Sequence, residues 1–233
     1  MAFEVPNRRV LIILFGRLGD VVMATSLATA LTRQMPTTHL TWLTEVDAAP
    51  LLAGHSAIDR VLTVGPASLL MLQVEHFDLV VNLDRSPMAC ALTMLIEAGR
   101  RVGFGYSPTG AVVPLDSATR ILFDINRHPP TRAKNRRSWA EIHHSIAGLD
   151  SLHPVPVSSL VLSRNEEVEA LDWRDCTVEA GETLVLCCIG SHVNDRQNMR
   201  TTKIVTHRLH HISSTRGGLG VELMRVTGST GGC

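Results

Sequence analysis

VLIILFGRLGDVVMATSLATA, residues 10–30, is the stretch that decides the fold of this 233-residue chain. It opens with an uninterrupted apolar run, residues 10–15, of the kind found in strands that are covered on both faces. The run ends at Gly16, and Asp20 then opens a helical pattern of apolar residues that stops before Pro36. The stretch therefore predicts a buried strand, a glycine-containing turn and an amphipathic helix.

Strand-like and helical patterns continue to alternate through the first half of the chain. Further strands are predicted at residues 39–43, 60–64, 78–83 and 101–104, and helices at residues 48–53 and 88–98. Alternation at this spacing implies a parallel sheet with right-handed crossovers. The predicted fold class is α/β, with a Rossmann-like first domain.

The second half is less regular. Its predicted elements are a long surface loop at 108–137, helices at 139–149 and 166–173, and strands at 159–162 and 183–189. We place a first domain at residues 1–175 and the start of a second at 176–233. After about residue 190 the apolar pattern disappears, and one strand without partners cannot bury its faces. We expect the tail to be poorly ordered, or not to be the original continuation of the gene.

Composition excludes several classes of protein. Lysine plus arginine equals aspartate plus glutamate, at 22 each, so nothing calls for a nucleic-acid partner. Five cysteines without a CxxC pair suit a reducing compartment. No secretory signal and no apolar stretch of membrane-spanning length is apparent, so the expected location is the cytoplasm.

The turn after the first strand is the main candidate for chemistry. Ligands of open parallel sheets bind beyond the carboxyl ends of the strands, and a helix start favours a carboxylate. Asp20 could therefore be a functional carboxylate or simply the N-cap of the helix. Gly16 and Gly19 form only GxxG, which lacks the GxGxxG spacing of dinucleotide-binding turns.

Several segments, in this order, resemble glycosyltransferase family 9, the ADP-heptose:lipopolysaccharide heptosyltransferases. They are the Leu-Gly-Asp turn at residues 18–20, HLTWLTEVDAAPLLAGHSAIDRVLTV at 39–64, FDLVVNLDRSPMACALTMLIEAGRRVGFG at 77–105 and NRRSWAEIHHSIAGL at 135–149. The resemblance extends over residues 9–189 and rests on the order and spacing of the segments, since no single motif is highly specific.

The resemblance implies a GT-B architecture, of which this chain would hold the N-terminal half and an incomplete second domain. It also implies inverting transfer of a heptose or related sugar from a nucleotide-diphosphate sugar to a lipopolysaccharide core acceptor. Such transfer needs no metal and no cofactor beyond the donor. Asp20 falls on the family's proposed general base, and inversion requires no second, nucleophilic carboxylate. Gly16, Arg17 and Gly19 would then contact substrate.

Two basic features could meet anionic groups. Arg101 enters a strand that the resemblance covers and is a candidate substrate contact, and residues 132–137 (RAKNRR) form a cationic run. Either could meet phosphates of the acceptor or the anionic inner membrane face. For the run, a solvated charged loop is the simpler interpretation. Arg17 could replace the basic residue that the family places near the end of the first strand, where this chain has Leu14 or Phe15, or it could be solvated.

Other signals and readings stay open. Asp84 follows a predicted strand and could line the cleft or hold a turn. The histidines at 143, 144, 207, 210 and 211 lack the supporting ligands of a zinc site. No continuation after residues 183–189 matches the family's donor site, so the chain could be a truncated, inactive remnant of such an enzyme. An unrelated Rossmann-like binding module is the third reading.

Overall fold

A computed structural model of the chain describes residues 8–149 and 154–177. The chain divides into two compact units, Met1–Val161 and Leu162–Cys233. The described strands lie in the first unit: β1 (Arg8–Ile13), β2 (Thr38–Thr44), β3 (Arg60–Thr63), β4 (His76–Asn82), β5 (Glu97–Tyr106) and β6 (Val112–Pro114). Its described helices are α1 (Leu18–Gln34), α2 (Pro66–Val74), α3 (Pro87–Leu95), α4 (Ser117–Arg127), α5 (Pro129–Lys134) and α6 (Trp139–Ala147), with a 3-10 helix at Ala49–Leu52.

The six described strands form one sheet in the order β3-β2-β1-β4-β5-β6. The first five are parallel, which confirms the predicted α/β class and its Rossmann-like sheet. β6 departs from the predicted parallel arrangement because it pairs antiparallel with β5. The connection is a tight turn in which the Gly110 amide donates to Ser107 O at 3.0 Å, too short for a crossover to a parallel strand.

β1 lies in the centre of the sheet and is covered on both faces. Leu11 and Ile13 pack in one core cluster with side chains of α2 and α3. Val10 and Ile12 pack in the other with side chains of α1, α4 and α6. The prediction of a fully buried first strand is confirmed, because a continuous apolar run has both of its faces covered.

The prediction of a long loop at residues 108–137 is wrong. This region contains β6, α4 and α5. α4 is amphipathic: Leu122 and Ile125 are buried, and the Asp116 carboxylate caps its start by accepting from the Thr119 amide at 2.8 Å. Pro129 and Pro130 open α5 rather than interrupt a helix, since proline is tolerated in the first turn.

Two other predicted elements differ. Residues 159–162 form no strand. The chain at this point forms hydrogen bonds with α1 instead: Ser158 Oγ donates to Met23 O and the Ser159 amide donates to Thr25 Oγ1, both at 2.9 Å. The helix predicted at 88–98 ends earlier, as α3 stops at Leu95 and β5 begins at Glu97.

In the second unit the described helix is α7 (Arg164–Thr177), which extends the predicted helix at 166–173. The predicted strand at 183–189 lies outside the described residues. The domain boundary at residue 175 and the character of the tail after residue 190 therefore stay predictions. Within the described ranges, no helix combines the length and apolar character needed to cross a bilayer.

Candidate active site at the carboxyl edge of the sheet

The turn after β1 lies at the carboxyl edge of the sheet, the edge at which β1, β2, β4 and β5 end. Phe15, which enters the turn, is held from both sides. Its carbonyl accepts from the Glu45 amide at 2.9 Å and from Thr44 Oγ1 at 3.2 Å, and its amide donates to the Asp84 carboxylate at 3.0 Å. The residues that follow Phe15 therefore start from a fixed position between the ends of β2 and β4.

Arg17 has an unusual backbone conformation at the start of α1. Among the described non-glycine residues it alone has a positive φ, at 60°. It occupies the N-cap position of α1, and no side chain caps the helix there. Such conformations cost of order 1 kcal/mol and concentrate at functional sites. The interpretation of Asp20 as the N-cap is therefore wrong: Asp20 is the third residue of the helix.

The Asp20 carboxylate is half-buried and has no hydrogen bond or ion pair with another described residue. Burial raises the pKa of Asp20, and the negative charge of Asp84 raises it further. The positive charges of Arg17 and Arg85 oppose this shift. The result is a carboxylate that is partly desolvated, is acted on by the charges of two arginines and forms no hydrogen bond or ion pair with the described residues around it.

The loop after β4 forms the second wall of the site. Asp84 Oδ1 accepts from the Ser86 amide at 2.7 Å while Oδ2 accepts from Phe15, so one carboxylate joins this loop to β1. Asn82 is fully buried, with Oδ1 accepting from the Asp84 amide at 2.9 Å and Nδ2 donating to Phe104 O at 2.7 Å. These bonds give Asp84 the turn-holding role that the sequence left open.

Gly16 and Gly19 border open space. A Cβ atom built on either glycine would meet no atom within 4 Å, and neither has a positive φ. The fold of the described residues therefore does not demand glycine at these two positions. Their absence of side chains leaves room next to Asp20, where a ligand could approach the backbone.

The structure brings together four of the five predicted site residues: Gly16, Arg17, Gly19 and Asp20. Arg101 lies apart from them, in the middle of β5. Its guanidinium donates to the carbonyls of Thr93 at 3.0 Å, Ile96 at 2.5 Å and Ala98 at 3.4 Å. These bonds satisfy carbonyls at the end of α3 and in the segment that follows it, so Arg101 has a structural role, and its predicted substrate contact gains no support from its surroundings.

Arg85 and Asn82 are the residues of this edge that sequence reasoning missed. The available signal was their position, since both come at or just after the end of a buried strand whose carboxyl end borders the cleft. What the sequence lacked was the strand order, which places β4 directly beside β1.

Other polar candidates do not form a second site. Cys90 is buried, donates to Asp84 O and has its pKa raised by burial to about 11, so its thiol is inert at neutral pH. Burial, followed by the charge of His144, lowers the pKa of His143 to about 4. The described residues contain no group of three or more His, Cys, Asp or Glu side chains that could hold a metal ion. The histidines at 207, 210 and 211 lie outside the described residues.

A cavity of about 460 Å³ lies at the opposite, amino edge of the sheet. It is lined by the start of β1 and by the ends of α1 and α6, with Arg8, Asp78 and Arg100 among its side chains. None of the predicted site residues contributes to it, so it is separate from the carboxyl-edge site.

Comparison with known proteins finds similar structures but no similar sequences. No family model and no curated protein matches the sequence. The structure is similar to a glycosyltransferase of family 9 from Veillonella parvula, with 18% identity and a TM-score of 0.57 over 84% of this chain and 57% of that one. It is also similar to ADP-heptose lipopolysaccharide heptosyltransferase II of E. coli, with 14% identity and a TM-score of 0.47 over 75% and 52% of the chains.

A third similar structure is the E. coli heptosyltransferase WaaC with ADP, at 18% identity and a TM-score of 0.45, over 64% of this chain and 49% of that one. The chain thus spans about half the length of these proteins. At such low sequence identities the similarity concerns the fold alone. The evidence for it is the Veillonella structure, which has the TM-score of 0.57. The described part of this chain therefore shares its α/β fold with a family 9 glycosyltransferase.

Proposed function

We propose that the first unit is the acceptor-side domain of an inverting glycosyltransferase and that Asp20 is its general base. The observation that supports this is the Asp20 carboxylate, which is half-buried in the first turn of α1 and has no hydrogen-bond or ion-pair partner among the described residues. An inverting displacement needs one such group. Asp20 takes the proton of the acceptor hydroxyl as the oxygen attacks C1 of the donor sugar, and the nucleoside diphosphate leaves.

The electrostatics suit this role. A general base works best when its pKa is closer to the operating pH than that of an ordinary aspartate. Burial raises the pKa of Asp20, and the positive charges of Arg17 and Arg85 act in the opposite direction. Because neither arginine forms an ion pair with Asp20, the carboxylate oxygens stay available for a proton.

The proposed donor is a nucleotide-diphosphate heptose or related sugar, and the proposed acceptor is a lipopolysaccharide core. These substrates come from the ordered resemblance of residues 9–189 to family 9, and the shared fold agrees with it. The proposal involves no metal and no cofactor other than the donor. The proposal assigns the acceptor-side chemistry to the first unit, and no sequence after residues 183–189 matches the family's donor site.

Charge supports a peripheral contact with the anionic inner face of the membrane, on the cytoplasmic side. Residues 120–137 contain six arginine or lysine side chains and one acidic residue, in a chain whose formal charge is zero. All six cations are exposed, and exposed Ile121 and Trp139 accompany them. Clusters of this kind are attracted to anionic lipid headgroups.

The experiment is a transfer assay on the full 233-residue chain with ADP-heptose and a lipopolysaccharide core acceptor. We expect Asp20→Ala to lower transfer about 100-fold or more while the circular dichroism spectrum and melting temperature stay close to those of wild type. The matched control is Asp47→Ala, which removes an exposed carboxylate elsewhere at the same edge. Near-wild-type transfer by the Asp20 variant would remove it as the base.

The remnant alternative predicts a different result in the same assay. A chain that cannot bind donor would show no transfer with any variant, yet it could still bind the acceptor. Acceptor binding without transfer would identify this chain as an inactive remnant of a glycosyltransferase. Absence of both transfer and acceptor binding would favour the unrelated binding module.

A further inference from the structure

Arg85 lies in the loop after β4, and hydrogen bonds of its neighbours hold its backbone in place. It directly follows Asp84, whose carboxylate bonds the loop to the Phe15 amide on one side and to the Ser86 amide on the other. Leu83 continues the pairing of β4 with β1, its amide donating to Ile13 O at 3.0 Å. The backbone of Arg85 is thus held opposite the turn that carries Arg17, and its charge acts on Asp20.

The two arginines share three properties. Both are exposed, neither guanidinium group forms a hydrogen bond or ion pair with another described residue, and both act electrostatically on Asp20. Elsewhere in the first unit, buried or half-buried arginines have partners: Arg60 binds Glu75 and Arg101 binds carbonyls. The guanidinium groups of Arg17 and Arg85 therefore have their full donor capacity available.

We infer that Arg17 and Arg85 together bind an anionic group, a phosphate or carboxylate, of the substrate that reacts at Asp20. The inference rests on the proposed function and extends it to the acceptor's charge. Guanidinium groups bind such oxyanions through paired N–H donors, and two of them fix an orientation as well as a position. The space next to Gly16 and Gly19 gives the anion access.

Asp84 does not compete for this role. Both of its carboxylate oxygens already accept hydrogen bonds from backbone amides. Asp84 therefore holds the loop in position and does not pair with the two arginines, which stay available to a ligand. Anion binding by the arginines would also separate substrate binding from proton transfer at the site. The arginines hold one part of the acceptor, and Asp20 stays free to receive the proton of a neighbouring hydroxyl.

The test uses the full 233-residue chain, labelled with ¹⁵N and titrated with inorganic phosphate, while the backbone amides of residues 16–20 and 84–86 are followed by NMR. We expect saturable shifts of these amides, and about a 5-fold or greater loss of phosphate affinity in Arg85→Gln. Arg85→Lys, which keeps the charge but not the planar donor pair, should lose less.

The matched control is Arg33→Gln. Arg33 is also exposed, but it lies 13 residues beyond Asp20 on α1, which is roughly 20 Å away. We expect it to bind phosphate as wild type does. Unchanged affinity in Arg85→Gln, or shifts confined to amides outside the two loops, would overturn the inference.

A second readout separates this inference from the proposed function. If the chain transfers sugar, Arg85→Gln should raise KM for the acceptor more than it lowers kcat, and it should move the acid limb of the pH profile to higher pH. Phosphate binding that depends on Arg85 in a chain without transfer activity would support the anion site and count against the proposed function. Active transfer with an unchanged acceptor KM would overturn the anion site alone.

Discussion

The Asp84 carboxylate accepts a hydrogen bond from the backbone amide of Phe15 at 3.0 Å, and this contact joins the loop after β4 to the end of β1. The two residues are 69 positions apart in the sequence, yet they determine where the turn bearing Asp20 begins. A structural carboxylate thus supports a neighbouring carboxylate that the fold leaves unpaired.

Asp84→Ala should destabilise the chain and disturb the site. It leaves the partly buried amides of Phe15 and Ser86 without their acceptor, which costs about 1–3 kcal/mol of unfolding free energy. Urea denaturation measures the loss, with Asp47→Ala as the exposed control. Asp84→Asn, which keeps one acceptor oxygen, should fall between the two. An Asp84→Ala variant as stable as the control would show that the loop does not depend on this contact.

Asp20→Asn should stabilise the chain at neutral pH. Because burial raises the pKa of Asp20, its contribution to stability is complete below the unfolded value of 3.8 and is lost as pH rises through the folded pKa. The neutral amide does not undergo this loss. Urea midpoints at pH 7 and at pH 3 should show an advantage of the variant over wild type that is larger at pH 7. An advantage that grows toward acid pH would contradict the direction of the shift.

Glu75→Gln should destabilise the chain by about 1–2 kcal/mol at pH 7. Glu75 binds Arg60 through 2.6 and 3.0 Å hydrogen bonds and Arg9 at 2.6 Å, linking β1 and β3 to the segment between α2 and β4. Bonding to Arg60, aided by Arg9, lowers the pKa of Glu75, so this stabilisation is present above pH 4.5 and is lost as pH falls through the folded pKa.

The measurement for Glu75 is a pair of urea denaturation curves, at pH 7 and at pH 3. The difference between wild type and the variant should shrink at the lower pH. Glu45→Gln, which alters an exposed glutamate at the carboxyl edge, serves as the control and should change stability little. A difference that is equal at both pH values would exclude the ion pairs as its source.

Gly103→Ala should unfold the chain or cost about 3 kcal/mol or more. Gly103 has a φ of 93°, and an added Cβ would lie 1.9 Å from Asn82 O, inside the pairing of β4 with β5. The matched control is Gly19→Ala, at which the Cβ meets nothing within 4 Å. That variant should be as stable as wild type or slightly more so, since alanine favours a helix. Thermal melts of the two proteins compare the costs directly.

The sequence was sufficient to predict an element when the apolar pattern of that element alone was clear. Residues 10–15 predicted a buried strand because both faces of that run are apolar, and both faces are indeed covered. It was insufficient for α4, whose single apolar stripe lies among charged residues and whose cap, Asp116, resembles any loop aspartate. It also missed the role of Arg101, since the carbonyls of Thr93 and Ile96 become available only where α3 ends.

By itself the sequence determined the α/β class, the parallel sheet and the turn that bears Asp20, because apolar periodicity and glycine spacing are local properties of the chain. Only the tertiary structure decided which residues face that turn. The order of strands places β4 beside β1 and so brings Asp84 and Arg85 to Asp20 across more than 60 positions of sequence. Which distant strands pair depends on how the helices cover both faces of the whole sheet. No single segment of the sequence therefore encodes the strand order.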